Sequence, residues 1–130
     1  MYSNISWFLT VALNVNKIDQ TITVQPGLSG MNLENYLKIN YPQYTLRHFP
    51  QSFEFASIGG MVATRSGGHF AVGKTRIDNF VQSAKLITST KGIINTPNIP
   101  NSGSGLDIKS SIIRGNEGIF GIISDITLKF

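Results

Sequence analysis

The apolar and polar positions of this chain change period several times, and each change marks an element. Ser6 to Asn14 is rich in β-formers, and Thr21-Ile22-Thr23-Val24-Gln25 alternates polar with apolar until Pro26-Gly27 interrupts it, as a half-buried strand does. The two segments predict a hairpin with its turn over Asn16 to Asp19. Ser29 then offers an N-cap to Met31, Leu33, Tyr36 and Leu37, which are spaced for a short amphipathic helix reaching Asn40 and blocked by Pro42.

From Arg47 to Gly73, Pro50 and the pairs Gly59-Gly60 and Gly67-Gly68 interrupt the apolar positions too often for any long regular element. Phe80 to Thr88 predicts a buried strand, Ser89 to Lys91 a turn, and Gly92 to Asn95 the antiparallel partner. Thr96 to Gly105, holding Pro97 and Pro100, predicts a loop, followed by a helix from Leu106 to Arg114 that Gly115 ends. Ile126, Leu128 and Phe130 alternate with Asp125, Thr127 and Lys129 in a half-buried last strand. This order predicts an α+β fold, an antiparallel-rich sheet with short flanking helices, rather than a doubly wound sheet.

Composition adds limits. With 130 residues the chain has room for a single domain. Its 14% charged content lies well below the roughly 25% of an ordinary soluble domain, so part of the surface is expected to face more chain, a subunit or a cofactor. The absence of cysteine excludes disulfides, thiolate metal sites and cysteine nucleophiles. The net charge of +4 comes from basic residues scattered singly between Lys17 and Lys129, so nucleic acid is not an expected partner, while phosphate-bearing small molecules stay open. Trp7 to Leu13 has no basic flank and is far shorter than the roughly 18 residues of a membrane span. It reads as part of a strand, and a cytoplasmic location is the expectation.

Two segments are candidates for chemistry. In Ser57-Ile58-Gly59-Gly60-Met61-Val62-Ala63-Thr64-Arg65-Ser66-Gly67-Gly68, glycines without Cβ atoms would let successive N–H groups converge on one ligand. Ser57, Thr64 and Ser66 add hydroxyls there, and Arg65 adds a cation. Such donors suit a pyrophosphate or the polar edge of a flavin; glycine pairs equally mark plain turns, and both readings stand. Neither the Walker pattern nor Gly-x-Gly-x-x-Gly is present.

In Arg114-Gly115-Asn116-Glu117-Gly118-Ile119-Phe120-Gly121-Ile122-Ile123, three glycines would let the main chain lie against a flat ring, or would serve as a helix stop and a bulge. Glu117 is a candidate base, or an acceptor that orders its own loop. His69 is a candidate base or flavin attachment point, or a polar loop residue; His48 reads as packing or surface. Two separated histidines without clustered acids give no metal site, and Asp78, Asp107 and Asp125 read as surface or capping residues.

Together, Arg47-His48-Phe49-Pro50-Gln51-Ser52-Phe53-Glu54-Phe55-Ala56-Ser57-Ile58-Gly59-Gly60, Thr64-Arg65-Ser66-Gly67-Gly68-His69-Phe70 and Gly115-Asn116-Glu117-Gly118 resemble the FAD-binding domain of alkyldihydroxyacetonephosphate (alkylglycerone-phosphate) synthases and their bacterial homologues. The likeness runs from about Leu13 to Phe130. It implies a vanillyl-alcohol-oxidase or PCMH-type flavoprotein fold with FAD as cofactor.

By resemblance, contacts to the flavin and its pyrophosphate fall to Gln51, Ser52, Phe53, Glu54, Phe55, Ala56 and Ser57, with Gly59 and Gly60 as further cofactor contacts. They continue through Thr64, Arg65, Ser66 and Gly67, and then Asn116, Glu117, Gly118, Ile119, Phe120, Gly121 and Ile122. Gln51 replaces an Asp common in the family and Asn116 replaces a Ser, changes that backbone contacts would survive.

The resemblance further implies acyl-for-alkoxide exchange on acyl-dihydroxyacetone phosphate with a fatty alcohol, a step of ether-lipid synthesis in which flavin N5 attacks the substrate carbon without net redox change. The residues the family uses on substrate belong to a domain outside this stretch, so no catalytic residue is assigned. Residues 1–130 are accordingly expected to form one partial PCMH-type domain, without the earlier pyrophosphate loop and the later substrate domain, and a homodimer is a further expectation. A flavin-dependent 2-hydroxy-acid dehydrogenase of the same fold, acting on lactate or glycolate, and a non-catalytic fragment or gene remnant are the alternatives.

Overall fold

The computed structural model describes residues 10–68, 75–99 and 107–130. The start of the first predicted strand, His69, and Leu106 at the head of the last predicted helix lie outside the described residues.

Strands β1 (Ala12–Asn16) and β2 (Thr21–Val24) form the expected antiparallel hairpin, with β1 running two residues past its predicted end at Asn14. Asn16 sets the turn: its Oδ1 accepts from the N–H groups of Ile18 and Asp19, and its Nδ2 donates to Asp19 Oδ2, as an Asx turn requires. Helix α1 (Gly30–Asn40) starts at Ser29, whose Oγ accepts from Asn32 N. Its Leu33 and Leu37 are wholly buried.

Among its described residues the glycine-broken region contains one short helix, α2 (Ile58–Ala63), capped by Ser57. A single turn, α3 (Ile77–Phe80), leads into β3 (Val81–Thr88), which pairs with β4 (Gly92–Asn95) through the predicted turn. Among the described residues the next helix is α4 (Lys109–Ile113), wound as a π-helix, with Arg114 N donating to Lys109 O. Strand β5 (Ile122–Lys129) begins earlier than the alternation at Asp125 predicts.

The five strands form one antiparallel sheet in the order β1-β2-β5-β3-β4. Strand β5 is central, between the two hairpins. One sheet face carries Ile22, Val24, Leu86, Ile126 and Leu128, all but inaccessible to solvent, and packs with Leu33, Leu37, Ile58, Met61, Val62 and Ile113 into one core.

The opposite face is polar in the middle. There the hydroxyls of Thr23 and Thr127 bond at 3.0 Å, and Lys85 pairs with Asp125 at 3.0 Å. At its end Ile122, Ile87 and Ile93 are register partners in a row across β5, β3 and β4, and all three are exposed. No helix of the described residues is long and apolar enough to cross a membrane.

Candidate functional site

Helix α2 is the hub that joins the sequence-predicted segments. At its start, residues 56–59 run beside residues 26–30: Gly30 N donates to Ala56 O, Ile58 N to Leu28 O and Gly59 N to Pro26 O. A Cβ on Gly59 would lie 2.5 Å from Pro26 Cβ. Gly59 is therefore glycine so that two main chains can touch.

Before it, Pro50 to Ala56 coils into tight turns held by Phe53 N to Pro50 O and by Phe55 N and Ala56 N to Ser52 O. The turns expose Gln51, Ser52, Glu54 and Phe55, while Phe53 packs its ring on Gly30 and against Phe49.

The expected convergence of amides on a ligand does not occur in residues 58–66. Gly60 N donates to Ser57 Oγ, Met61 N to Ser57 O, Thr64 N to Gly60 O, Arg65 N to Val62 O and Ser66 N to Met61 O. Helix formation has claimed these donors. Thr64 Oγ1 likewise donates to Gly60 O, and Ser57 Oγ acts as the cap. Gly67 is partly accessible, and Gly68, at φ +73°, would place a Cβ 3.2 Å from Pro50 Cα. The end of this segment thus returns to the turn at residues 50–55.

The second segment docks on the C-terminal end of α2. Gly115 N donates to Val62 O at 3.0 Å and Glu117 N to Ala63 O at 3.1 Å. Gly115, Glu117 and Gly118 all have positive φ, at 72°, 49° and 83°, so the chain turns sharply at each. Asn116, buried beneath this loop, orders it: Oδ1 accepts from Gly118 N at 2.9 Å. The loop-ordering acceptor is thus Asn116, and the Glu117 side chain stands exposed. Gly121 has no room for a Cβ because the Ile87 carbonyl fills that place. The strand bulge lies further on, where Ser124 is passed over between Ile123 and Asp125 in the pairing with β3.

Several features fit a flat ligand with a polar edge. Asn116 Nδ2 is buried without a partner, a donor that gains from any acceptor brought to it. The space where a Cβ of Gly118 would sit is open. Phe55 in the first segment, and Ile119 and Phe120 in the second, are 87%, 80% and 51% exposed, large apolar side chains to leave in water. FAD, with its apolar ring and hydrogen-bonding rim, fits these groups; its pyrophosphate does not find amides in residues 58–66.

Among the described residues, the remaining candidates are structural. His48 is buried and its Nδ1 donates to Thr75 O at 2.9 Å, so in the neutral ring Nε2 carries no proton; Nε2 has no hydrogen-bond partner. Burial lowers its pKa, against the Thr75 bond and the nearby Asp78. Asp107 accepts from Lys109 N and Ser110 Oγ at the start of α4, and the Ser110 hydroxyl leads in holding its carboxyl below the usual value. Asp78 pairs with Arg76 and Asp125 with Lys85.

Sequence reasoning missed Lys109. It is buried with Nζ donating to Gln82 O and Ile99 O, and burial lowers its pKa; nothing in its neighbours in sequence marks it. Among the described residues no cluster of His, Asp and Glu could hold a metal ion.

Comparison with known proteins agrees with this fold. The FAD binding domain family matches residues 5–96. Alkyldihydroxyacetonephosphate synthase of Dictyostelium discoideum is 36% identical over 115 residues, which are 88% of this chain and 18% of that protein. The mitochondrial cytochrome-linked D-lactate dehydrogenase of Arabidopsis thaliana is 34% identical over 119 residues, 91% of this chain and 20% of that one. A solved structure of an alkyldihydroxyacetonephosphate synthase superposes with a TM-score of 0.80 at 34% identity, covering 93% of this chain and 21% of its own. The chain therefore spans about a fifth of the length of these relatives.

Proposed function

The chain belongs to the FAD-binding domain family, of the PCMH type and with FAD as its cofactor, and from that premise we propose that it is the flavin-binding segment of an alkylglycerone-phosphate-synthase-like enzyme. The observation that carries the reading is the docking of Gly115 and Glu117 on the carbonyls of Val62 and Ala63. That contact gathers segments read separately in the sequence around one short helix.

In this reading Asn116 Nδ2 donates to the rim of the flavin, and Gly118 lets the ring approach the main chain. Phe55, Ile119 and Phe120 exclude water from it. Gln51 to Ser57, Gly60 and Thr64 to Gly67 line the rest, while Gly59 and Gly121 act through packing. With the amides of residues 58–66 engaged internally, the main chain of Gln51 to Ser57 and of Gly67, residues at least partly accessible, is left to meet the pyrophosphate. Residues 1–130 form one part of a larger PCMH-type domain, a reading supported by their spanning about a fifth of the relatives' length.

The chemistry a bound flavin supplies is exchange of an acyl group for a long-chain alkoxide without net redox change. Acyl-dihydroxyacetone phosphate and a fatty alcohol are the proposed substrates, in a homodimer. This chain's residues bind and orient the cofactor.

The likeness to D-lactate dehydrogenase gives the competing reading. Replacing the matching segment of each named relative with this chain separates the two. A chimaera that holds FAD and forms the ether bond only in the synthase supports the proposal, whereas lactate oxidation retained only in the dehydrogenase overturns it.

A further inference from the structure

Arg65 follows α2 at φ +52°, a left-handed conformation that costs a non-glycine residue about 1 kcal/mol. Its side chain reaches the segment that carries the second glycine-rich loop. Nη2 donates to Ser110 O at 2.6 Å and Nε to Arg114 O at 3.2 Å. The guanidinium lies so close to Gly115 that a Cβ there would be 2.7 Å from Nε. On the same span the N–H groups of Gly115 and Glu117 bond to Val62 O and Ala63 O. Arg65 thus closes the outer side of a contact whose inner side is main chain on main chain. Its charge faces carbonyl oxygens, with Arg114 as a neighbouring cation whose pKa is lowered chiefly by burial and only to a lesser extent by Arg65.

We propose that Arg65 is a positioning residue: a two-pronged clamp that fixes the Asn116–Gly118 loop against α2, and not a cation offered to a phosphate of the cofactor. The inference rests on the flavin reading only for its consequence, cofactor affinity; the clamp itself is a property of the free protein. A planar fork bonds two carbonyls at fixed spacing, whereas a lysine ammonium of the same charge is a compact, mobile point.

The test uses the full chain with Arg65→Lys and Arg65→Gln, at a temperature where circular dichroism shows all three proteins folded. Amide hydrogen exchange at Gly115 and Glu117 is followed without FAD, and FAD dissociation constants are measured at low and high salt.

The clamp predicts that exchange at both amides speeds up by about tenfold or more in Arg65→Lys, the loss of roughly one charge-assisted hydrogen bond. FAD affinity falls by a similar factor, and its salt dependence is unchanged from wild type. Arg65→Gln, whose amide ends at the position of Nε and falls short of Ser110 O, loses at least as much of the protection as Arg65→Lys. Should Arg65→Lys keep wild-type exchange and affinity while Arg65→Gln loses affinity and salt dependence together, charge is what matters and the proposal is overturned. Faster exchange in Arg65→Lys, with a wild-type chain that binds no FAD, would support the clamp and overturn autonomous FAD binding by this segment.

Discussion

At the scale of single residues, the glycines divide by what surrounds the missing Cβ, and the division has measurable sign. Gly121 faces the Ile87 carbonyl with φ +154°, so Gly121→Ala must displace the main chain of β3. A loss of more than about 2 kcal/mol is expected from such overpacking. Gly60 meets only Ser57 Oγ, at 3.0 Å, and lies inside a helix, where alanine gains up to about 1 kcal/mol over glycine. Gly60→Ala should therefore stay within about 1 kcal/mol of wild type. Urea melts of both variants check the pair; equal losses would mean that the two glycines serve the same purpose.

His48 makes a second prediction at this scale. Burial holds the folded imidazole below its ordinary pKa, which is about 6.5 in an unfolded chain. Below that value the unfolded state binds the extra proton first, so stability falls as pH drops from about 7 through 6.5 toward the lowered folded value. Denaturant midpoints measured between about pH 7 and 5.5 should fall in the wild type and flatten in His48→Gln.

Among the elements, α2 shows how much the sequence pattern makes legible. Both hairpins, α1 with its Ser29 cap, and the alternation at Ile126 and Leu128 follow from local period and turn chemistry, and the structure has them. Helix α2 is obscured because Gly59-Gly60 looks like a break. Yet Ser57 caps α2 as Ser29 caps α1, and that cap was its one readable signal. Removing it by Ser57→Ala should cost about 1 kcal/mol and loosen Gly60 N, which hydrogen exchange would report.

The candidate site was legible in its parts and not in its assembly. Residues 51–67 and 116–122 stand out by glycine content and resemblance. That Val62 and Ala63 carbonyls receive the loop, and that Arg65 bridges to Ser110 and Arg114, depends on main-chain atoms every residue possesses. Long-range docking of that kind leaves no mark on composition. The early start of β5 at Ile122 was hidden in the same way, since pairing with Ile87 rather than alternation defines it.

For the molecule as a whole, the low charge content has a physical location. The row of Ile122, Ile87 and Ile93 lies open at one end of the outer sheet face, with Leu13 exposed on β1. Ile87→Thr with Ile93→Thr keeps β-branched side chains on the strands. The expected outcome in sedimentation velocity is that the wild type self-associates through this row and the pair does so less, with stability changed by less than about 1 kcal/mol; a monomeric wild type, or equal association of the two, would contradict it.

The flavin reading requires that segments distant in sequence share one flavin. Mapping amide chemical shifts of the full chain as FAD is added tests it most directly. The predicted result is a single saturating curve followed together by residues within 51–57, Thr64 to Gly67, and Asn116 to Ile122. Shifts confined to one of these segments, or centred instead on Thr23, Lys85 and Thr127 across the outer sheet face, would contradict it.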